Sequence, residues 1–210
     1  MLQLHILEQS KKLNPLKDKI KKAYEEIVPI VESKIKLPNI DIVVADNPEG
    51  AIPEIGIGGN SPTANLIYIN IDSNFSRIED KIDEQIKSTL AHECHHCARA
   101  EHFYYGNNLL EALVTEGLAD HFDLEINGGN PKPWSVALDE NHLNDLLGVA
   151  KKEFDNQNYD HTSWFFGKDK LEIPRWAGYS LGFKIVSEYL SKTNKKVSEL
   201  FSLDSRKFII

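Results

Sequence analysis

Sulfur is scarce in this chain: two cysteines and one methionine in 210 residues. Cys94 and Cys97 are three apart. That spacing within a helix suits a disulfide poorly, and no second C-x-x-C exists to complete a metal cage. They read as reduced thiols of a core, which fits a cytoplasmic protein. No run of about 18 apolar residues occurs, so no transmembrane helix is expected and no membrane partner with it. Met1–Pro15 lacks a basic start, a continuous apolar stretch and a small-residue cleavage site, so it does not read as a signal peptide. Basic residues are outnumbered, 24 against 32 acidic, for a net charge of −8. No Lys/Arg cluster with interleaved aromatics appears, and nucleic-acid binding is not expected. What the chain has is 41% hydrophobic residues. That suffices for one sizeable core: a single domain over 1–210, with a two-lobed catalytic domain also compatible.

The chemistry concentrates in two short segments. The first is His92-Glu93-Cys94-His95-His96, an H-E-x-x-H motif. On a helix, residues four apart lie about 40° apart around the axis, on one face. His92 and His96 can therefore bind one zinc ion, while Glu93 can take a proton from a water that the metal acidifies. The second segment is Glu116-Gly117-Leu118-Ala119-Asp120, which places a carboxylate 20 residues past His96 and another four further on. His92, His96 and Glu116 make a three-ligand set for one zinc per chain, with a fourth position left for water. That is the coordination of a catalytic zinc, not of a closed structural one. His95 offers a rival pair with His92, because an i, i+3 spacing also shares a face. Ile78, Ile82, Ile86 and Leu90, continued by Cys94 and Cys97, form an apolar stripe roughly opposite the ligands. Asp120 suits a role accepting the second N–H of His92, which would fix its tautomer.

Around these segments the pattern predicts a short strand at Leu2, Leu4 and Ile6 and a helix from Pro15 to about Lys34. A strand follows over Asn39–Asp46, a Gly- and Pro-rich stretch over Asn47–Ala64, and a cleanly alternating strand over Leu66–Asp72. Ser76 with Glu79 forms a capping box for the motif helix. Gly106-Asn107-Asn108 restarts the chain as a helix to about Ile126, and Asn127–Pro133 is a loop. Ser135–Phe154 reads as helical, Tyr159–Pro174 as aromatic and irregular, Arg175–Ser191 as an amphipathic helix and Val197–Leu203 as a last short one. The fold class is α+β: a small mixed sheet-and-helix half, then an all-helical half, with the H-E-x-x-H helix between them.

At His92-Glu93-x-x-His96 and Glu116-x-x-x-Asp120 the chain resembles the gluzincin metallopeptidases, of which thermolysin is the best known. It looks closer still to a bacterial family of predicted zinc-dependent proteases of unknown function. That likeness takes in Gly56-Ile57-Gly58-Gly59, Leu110–Phe122 and Trp176-Ala177-Gly178-Tyr179-Ser180-Leu181-Gly182, and covers about residues 40–190. The resemblance implies a zincin-like domain that hydrolyses a peptide or protein substrate, with Glu93 as general base. It implies Tyr179, in a Tyr-x-x-Gly setting, as donor to the oxyanion, with His161, Arg175 and Tyr105 in reserve. It also implies that Leu66–Asp72 is the edge strand on which an extended peptide lies, with Ile69 and Asn70 among its contacts. The downstream His motif of thermolysin is not recognisable: the surroundings of His142 and His161 do not match it. A catalytically silent zinc-binding or partner-binding module is the alternative, and Glu93 discriminates, since a structural site has no use for it.

Overall fold

A computed structural model describes residues 1–167 and 173–209. Within these, the fold is α+β, with one four-stranded mixed sheet and six α-helices. It divides into two compact units, Met1–Glu101 and His102–Ile210. No helix among the described residues is long and apolar enough to cross a membrane.

The first unit holds the whole sheet. Strand β1 (Leu2–Ile6) leads through helix α1 (Lys17–Glu32) to β2 (Ile40–Asp46), which pairs with β1 in parallel. This is a βαβ crossover, and Tyr24 of α1 ties it down by donating to the Leu2 carbonyl at 2.7 Å. Strands β3 (Ile57–Thr63) and β4 (Leu66–Ile71) form an antiparallel pair, and β4 also runs parallel to β2. The spatial order is β1-β2-β4-β3. Ile67, Ile69 and Ile71 of β4 alternate into the core with no exposure. Helix α2 (Ile78–Ala100) packs on the β3–β4 side of the sheet and against α1. Its stripe Ile78, Ile82, Ile86, Leu90, Cys94 and Cys97 is buried throughout, as the apolar spacing requires. Each such aliphatic side chain contributes on the order of 1.5–3 kcal/mol on burial.

Three expectations change here. Leu66–Ile71 is not an edge strand. Ile69 pairs with Val44 on one side and Gly59 on the other, so the backbone of Ile69 and Asn70 has no free edge to offer a peptide. The Asn70 side chain is engaged too, accepting from Asn47 Nδ2 at 3.0 Å. The edge on that side is β3, within the Gly- and Pro-rich stretch for which the sequence pattern predicts no strand. Small residues hide its alternation, and an edge position tolerates Pro62. The Ser76–Glu79 capping box does not form, because the chain leaves β4 through backbone turns from Asp72 to Phe75 and from Phe75 to Ile78. The helix then opens with Arg77 at its cap position and no side-chain cap.

The second unit is helical among its described residues. Helix α3 (Leu109–Asn127) begins at Asn108, whose side chain accepts from the Glu111 N–H. It is buried on every face from Leu109 to Asp120, which makes it the centre of this unit. Helix α6 (Ala177–Thr193) crosses it where Gly117 meets Gly182. The predicted Ser135–Phe154 helix contracts to α4 (Glu140–Ala150). Asp139 caps the His142 N–H at 3.0 Å and so sets the start of α4, while Ser135 and Ala137 are tied to neighbouring elements instead. The stretch that reads as irregular contains a short helix, α5 (His161–Phe166), started by the side chain of Asp160 on Ser163. Residues 168–172 of that stretch lie outside the described residues. The predicted Val197–Leu203 helix contracts to a 3-10 turn at Val197–Glu199, and a further 3-10 turn follows at Ser205–Phe208.

The helix crossing makes a stability prediction. A Cβ on residue 117 would stand 2.2 Å from the Gly182 carbonyl oxygen, a backbone atom that cannot swing aside. Gly117→Ala is expected to lower stability by about 1–3 kcal/mol. Gly148 on α4 has nothing within 4 Å of the same position. Gly148→Ala is expected to raise stability by about 0.4–1 kcal/mol through the unfolded chain. Urea unfolding of the two variants should move the midpoint in opposite directions; a neutral Gly117→Ala would mean that the crossing has slack.

Candidate metal and catalytic centre

Helix α2 carries the first group of functional side chains. His92 and His96 are half-buried, one turn apart, and their Nε2 atoms stand 2.9 Å from each other. The rings meet edge to face, with centroids 4.6 Å apart. Two Nε2 lone pairs brought this close suit a shared cation. Without one, a single ring N–H must serve as the bridge. His95 is fully buried. Burial first, then the charges of His96 and Arg99, push its imidazole well below its ordinary pKa and keep it neutral. The geometry thus joins His92 with His96.

Glu93 is buried, and its Oε2 accepts the Ser61 hydroxyl of β3 at 2.5 Å. Gly59, two residues earlier, lies against the same side chain: a Cβ there would be 2.6 Å from Glu93 Oε1 and 2.6 Å from Thr89 Cγ2. Cys94 and Cys97 are buried free thiols. Burial pushes the Cys94 thiol well up, and Cys97 is pushed up to about 12 by burial and then by the Glu93 charge. Both stay protonated and inert at neutral pH.

The second group lies in the helical unit. Glu116 is buried on α3 and accepts the Tyr105 hydroxyl at 2.7 Å. Its charge, after burial, raises the pKa of Tyr105 well above the ordinary phenol value and contributes to raising Tyr159 to about 12. Tyr159 shares a hydrogen bond with His161 Nδ1 at 3.0 Å, and Tyr105 meets the same ring edge-on at 5.8 Å. His161 stacks on Phe165 at 4.4 Å, and Phe165 meets Tyr179 edge-on at 5.1 Å. Tyr105, His161 and Tyr179 therefore belong to one aromatic cluster, with Tyr105 directly on Glu116. Arg175 is exposed and lays its guanidinium over Trp176, 4.1 Å from the ring centroid. Asp120, one turn past Glu116, is buried and accepts Trp134 Nε1 at 3.2 Å and the Ser135 hydroxyl at 2.6 Å.

Sequence reasoning missed Ser61, Tyr159 and the Trp134–Ser135 pair, and named Gly59 only within the Gly56-Ile57-Gly58-Gly59 resemblance, without a role.

A four-stranded sheet thus backs an H-E-x-x-H helix, and the helical unit carries a buried Glu and Asp one turn apart. Over residues 16–210 the chain matches the model of the family described as "Predicted Zn-dependent protease (DUF2268)", and it belongs to that family. Two curated relatives are the uncharacterized proteins YjfC and YjaZ of Bacillus subtilis (strain 168). YjfC is 27% identical over 138 residues, 60% of this chain and 46% of YjfC. YjaZ is 24% identical over 131 residues, 59% of this chain and 49% of YjaZ. The matches thus span about half the length of each relative. No solved structure matches the chain significantly.

Proposed function

We propose that this protein is a zinc-dependent peptidase of the gluzincin kind, with a zincin-like fold, that cleaves peptide bonds with water. The observation that carries the reading is the His92–His96 pair, with Nε2 atoms 2.9 Å apart and Glu93 fixed beside it by Ser61. His92, His96 and Glu116 are the proposed holders of one zinc ion: two neutral imidazoles and one carboxylate, a donor set typical of catalytic zinc. When bound, zinc supplies Lewis acidity to water and to the scissile carbonyl. Glu93 accepts the proton of the attacking water and returns it to the departing amine. Its burial helps to keep that proton from exchanging with solvent between the two transfers.

Tyr179 is the proposed donor to the oxyanion. Its ring meets Phe165 edge-on, and a phenol is a hydrogen-bond donor. Tyr105 holds the Glu116 carboxylate and so steadies a proposed ligand. The edge that an extended peptide needs is offered by β3 rather than β4.

Asp120 is the proposed orienter of His92. Its own carboxylate is held by Trp134 and Ser135, which suits a group whose direction matters. Asp120→Ala is expected to weaken zinc affinity or activity by roughly 10–100-fold while the chain stays folded. Unchanged zinc affinity with unchanged kinetics would return Asp120 to a packing role.

A peptide-library cleavage assay, run with zinc and with a chelator, tests the whole reading. Cleavage that chelator abolishes and zinc restores supports it; cleavage indifferent to chelator overturns it.

A further inference from the structure

The Glu93 carboxylate is not positioned by helix α2 alone. Two residues of the edge strand β3 meet it. Ser61 donates its hydroxyl to Oε2 at 2.5 Å. Gly59 leaves space that Oε1 and Cγ occupy, since a Cβ there would come within 2.6 Å and 2.8 Å of them. Cys97, one turn past Glu93, directs its own S–H to the Thr63 carbonyl at 3.8 Å. The hydroxyl proton of Ser61 points to Glu93. A charge-assisted bond of this kind holds one carboxylate oxygen and leaves the other to accept a proton.

We infer that Ser61 is a positioning residue for the general base: its hydroxyl on Glu93 Oε2, against the space left by Gly59, sets the direction in which Glu93 Oε1 accepts the proton of water. This rests on the peptidase reading for its catalytic consequence, and on the contact itself for its structural half. Ser61 touches no substrate atom in this role. Its loss lets the carboxylate swing, and misplacement of a reacting group by about 1 Å costs up to on the order of 10²-fold in rate.

The test compares Ser61→Ala, Ser61→Thr and Glu93→Gln with the wild type. The substrate is a quenched fluorescent peptide taken from the library screen. In zinc-loaded protein, Ser61→Ala is expected to lower kcat about 10-fold with KM within about twofold. Zinc affinity, read by chelator competition, should stay near the wild-type value. Ser61→Thr keeps a hydroxyl on the same carbon and should recover kcat to within about threefold of wild type. In metal-free protein, the infrared difference spectrum of Ser61→Ala against wild type should show a shifted carboxylate band. The same substitution made on a Glu93→Gln background should show none.

Wild-type kcat in Ser61→Ala, a Ser61→Thr as slow as Ser61→Ala, or no Glu93-dependent band shift would overturn the inference. Full activity of Glu93→Gln would instead remove Glu93 as the base, and a wild type that cleaves no peptide would overturn the peptidase reading; the infrared arm, which needs neither metal nor substrate, would still decide the contact.

Discussion

Glu93→Gln is expected to keep zinc and fold and to lose hydrolysis by about 10²–10⁴-fold in kcat. The amide has nearly the shape of the carboxylate and can still accept the Ser61 hydrogen bond through its oxygen. It cannot accept the proton of water. Glu93 is buried at 4% exposure, so the substitution removes a buried charge rather than adding one, and stability should not suffer. His92 and His96 are untouched, and zinc affinity measured by chelator competition should stay within a small factor of wild type. Steady-state kinetics on a peptide identified by library screening provide the check. Near wild-type turnover would remove Glu93 as base and leave its burial against β3 as packing. If wild type and Glu93→Gln are both inert toward every peptide while both bind zinc, the catalytically silent zinc module becomes the better reading.

How much of this was legible in the chain depends on the range of the interactions concerned. The face that carries His92 follows from helical spacing, which left His95 and His96 as rival partners, and the buried stripe Ile78 to Cys97 follows from the same period. Neither needs knowledge of what the helix packs against. The Asn108 cap and the all-round burial of α3 are local in the same sense, being written in a capping residue and an apolar run. Sheet order is not local. Leu66–Ile71 alternates whether it lies inside or at the edge, and only the pairing with Val44 and Gly59 puts it inside. Strand β3 was hidden for a different reason. A strand is recognised by side chains that alternate, and Gly58, Gly59, Asn60 and Pro62 supply almost none. The lack of a side chain at Gly59 is what admits Glu93, so the feature that concealed the strand also places the proposed base. Helix α4 failed at its boundary, because apolar residues before Asp139 continue the helical pattern while the Asp139 side chain takes up the His142 N–H and starts the helix there. Tyr105 reaches Glu116 from the segment before α3, a contact that no periodicity encodes.

His96→Ala is expected to abolish zinc binding, whereas His95→Ala keeps it. The two variants should separate cleanly in thermal unfolding. His96 is half-buried and contributes little to the core, so metal-free His96→Ala should melt near wild type. A ligand that binds only the folded state stabilises it by about 2.7 kcal/mol at one hundred times its Kd. For a chain of this size that raises Tm by roughly 5–11 °C. Wild type should show this zinc-dependent rise and His96→Ala should not. His95 is fully buried, and its imidazole is held neutral mainly by that burial. Removing it leaves a cavity, so metal-free His95→Ala should melt lower, by an amount set by how far its neighbours relax. Its rise on adding zinc should nevertheless match the wild-type rise, because His92 Nε2 still faces His96 Nε2 at 2.9 Å. If His95→Ala proves too unstable to purify, His95→Gln keeps volume and polarity and answers the same question. The opposite pattern, zinc stabilisation lost with His95 and kept without His96, would move the ligand pair to His92 and His95. Glu93 would then stand outside the usual H-E-x-x-H geometry, and the gluzincin reading would fall with it.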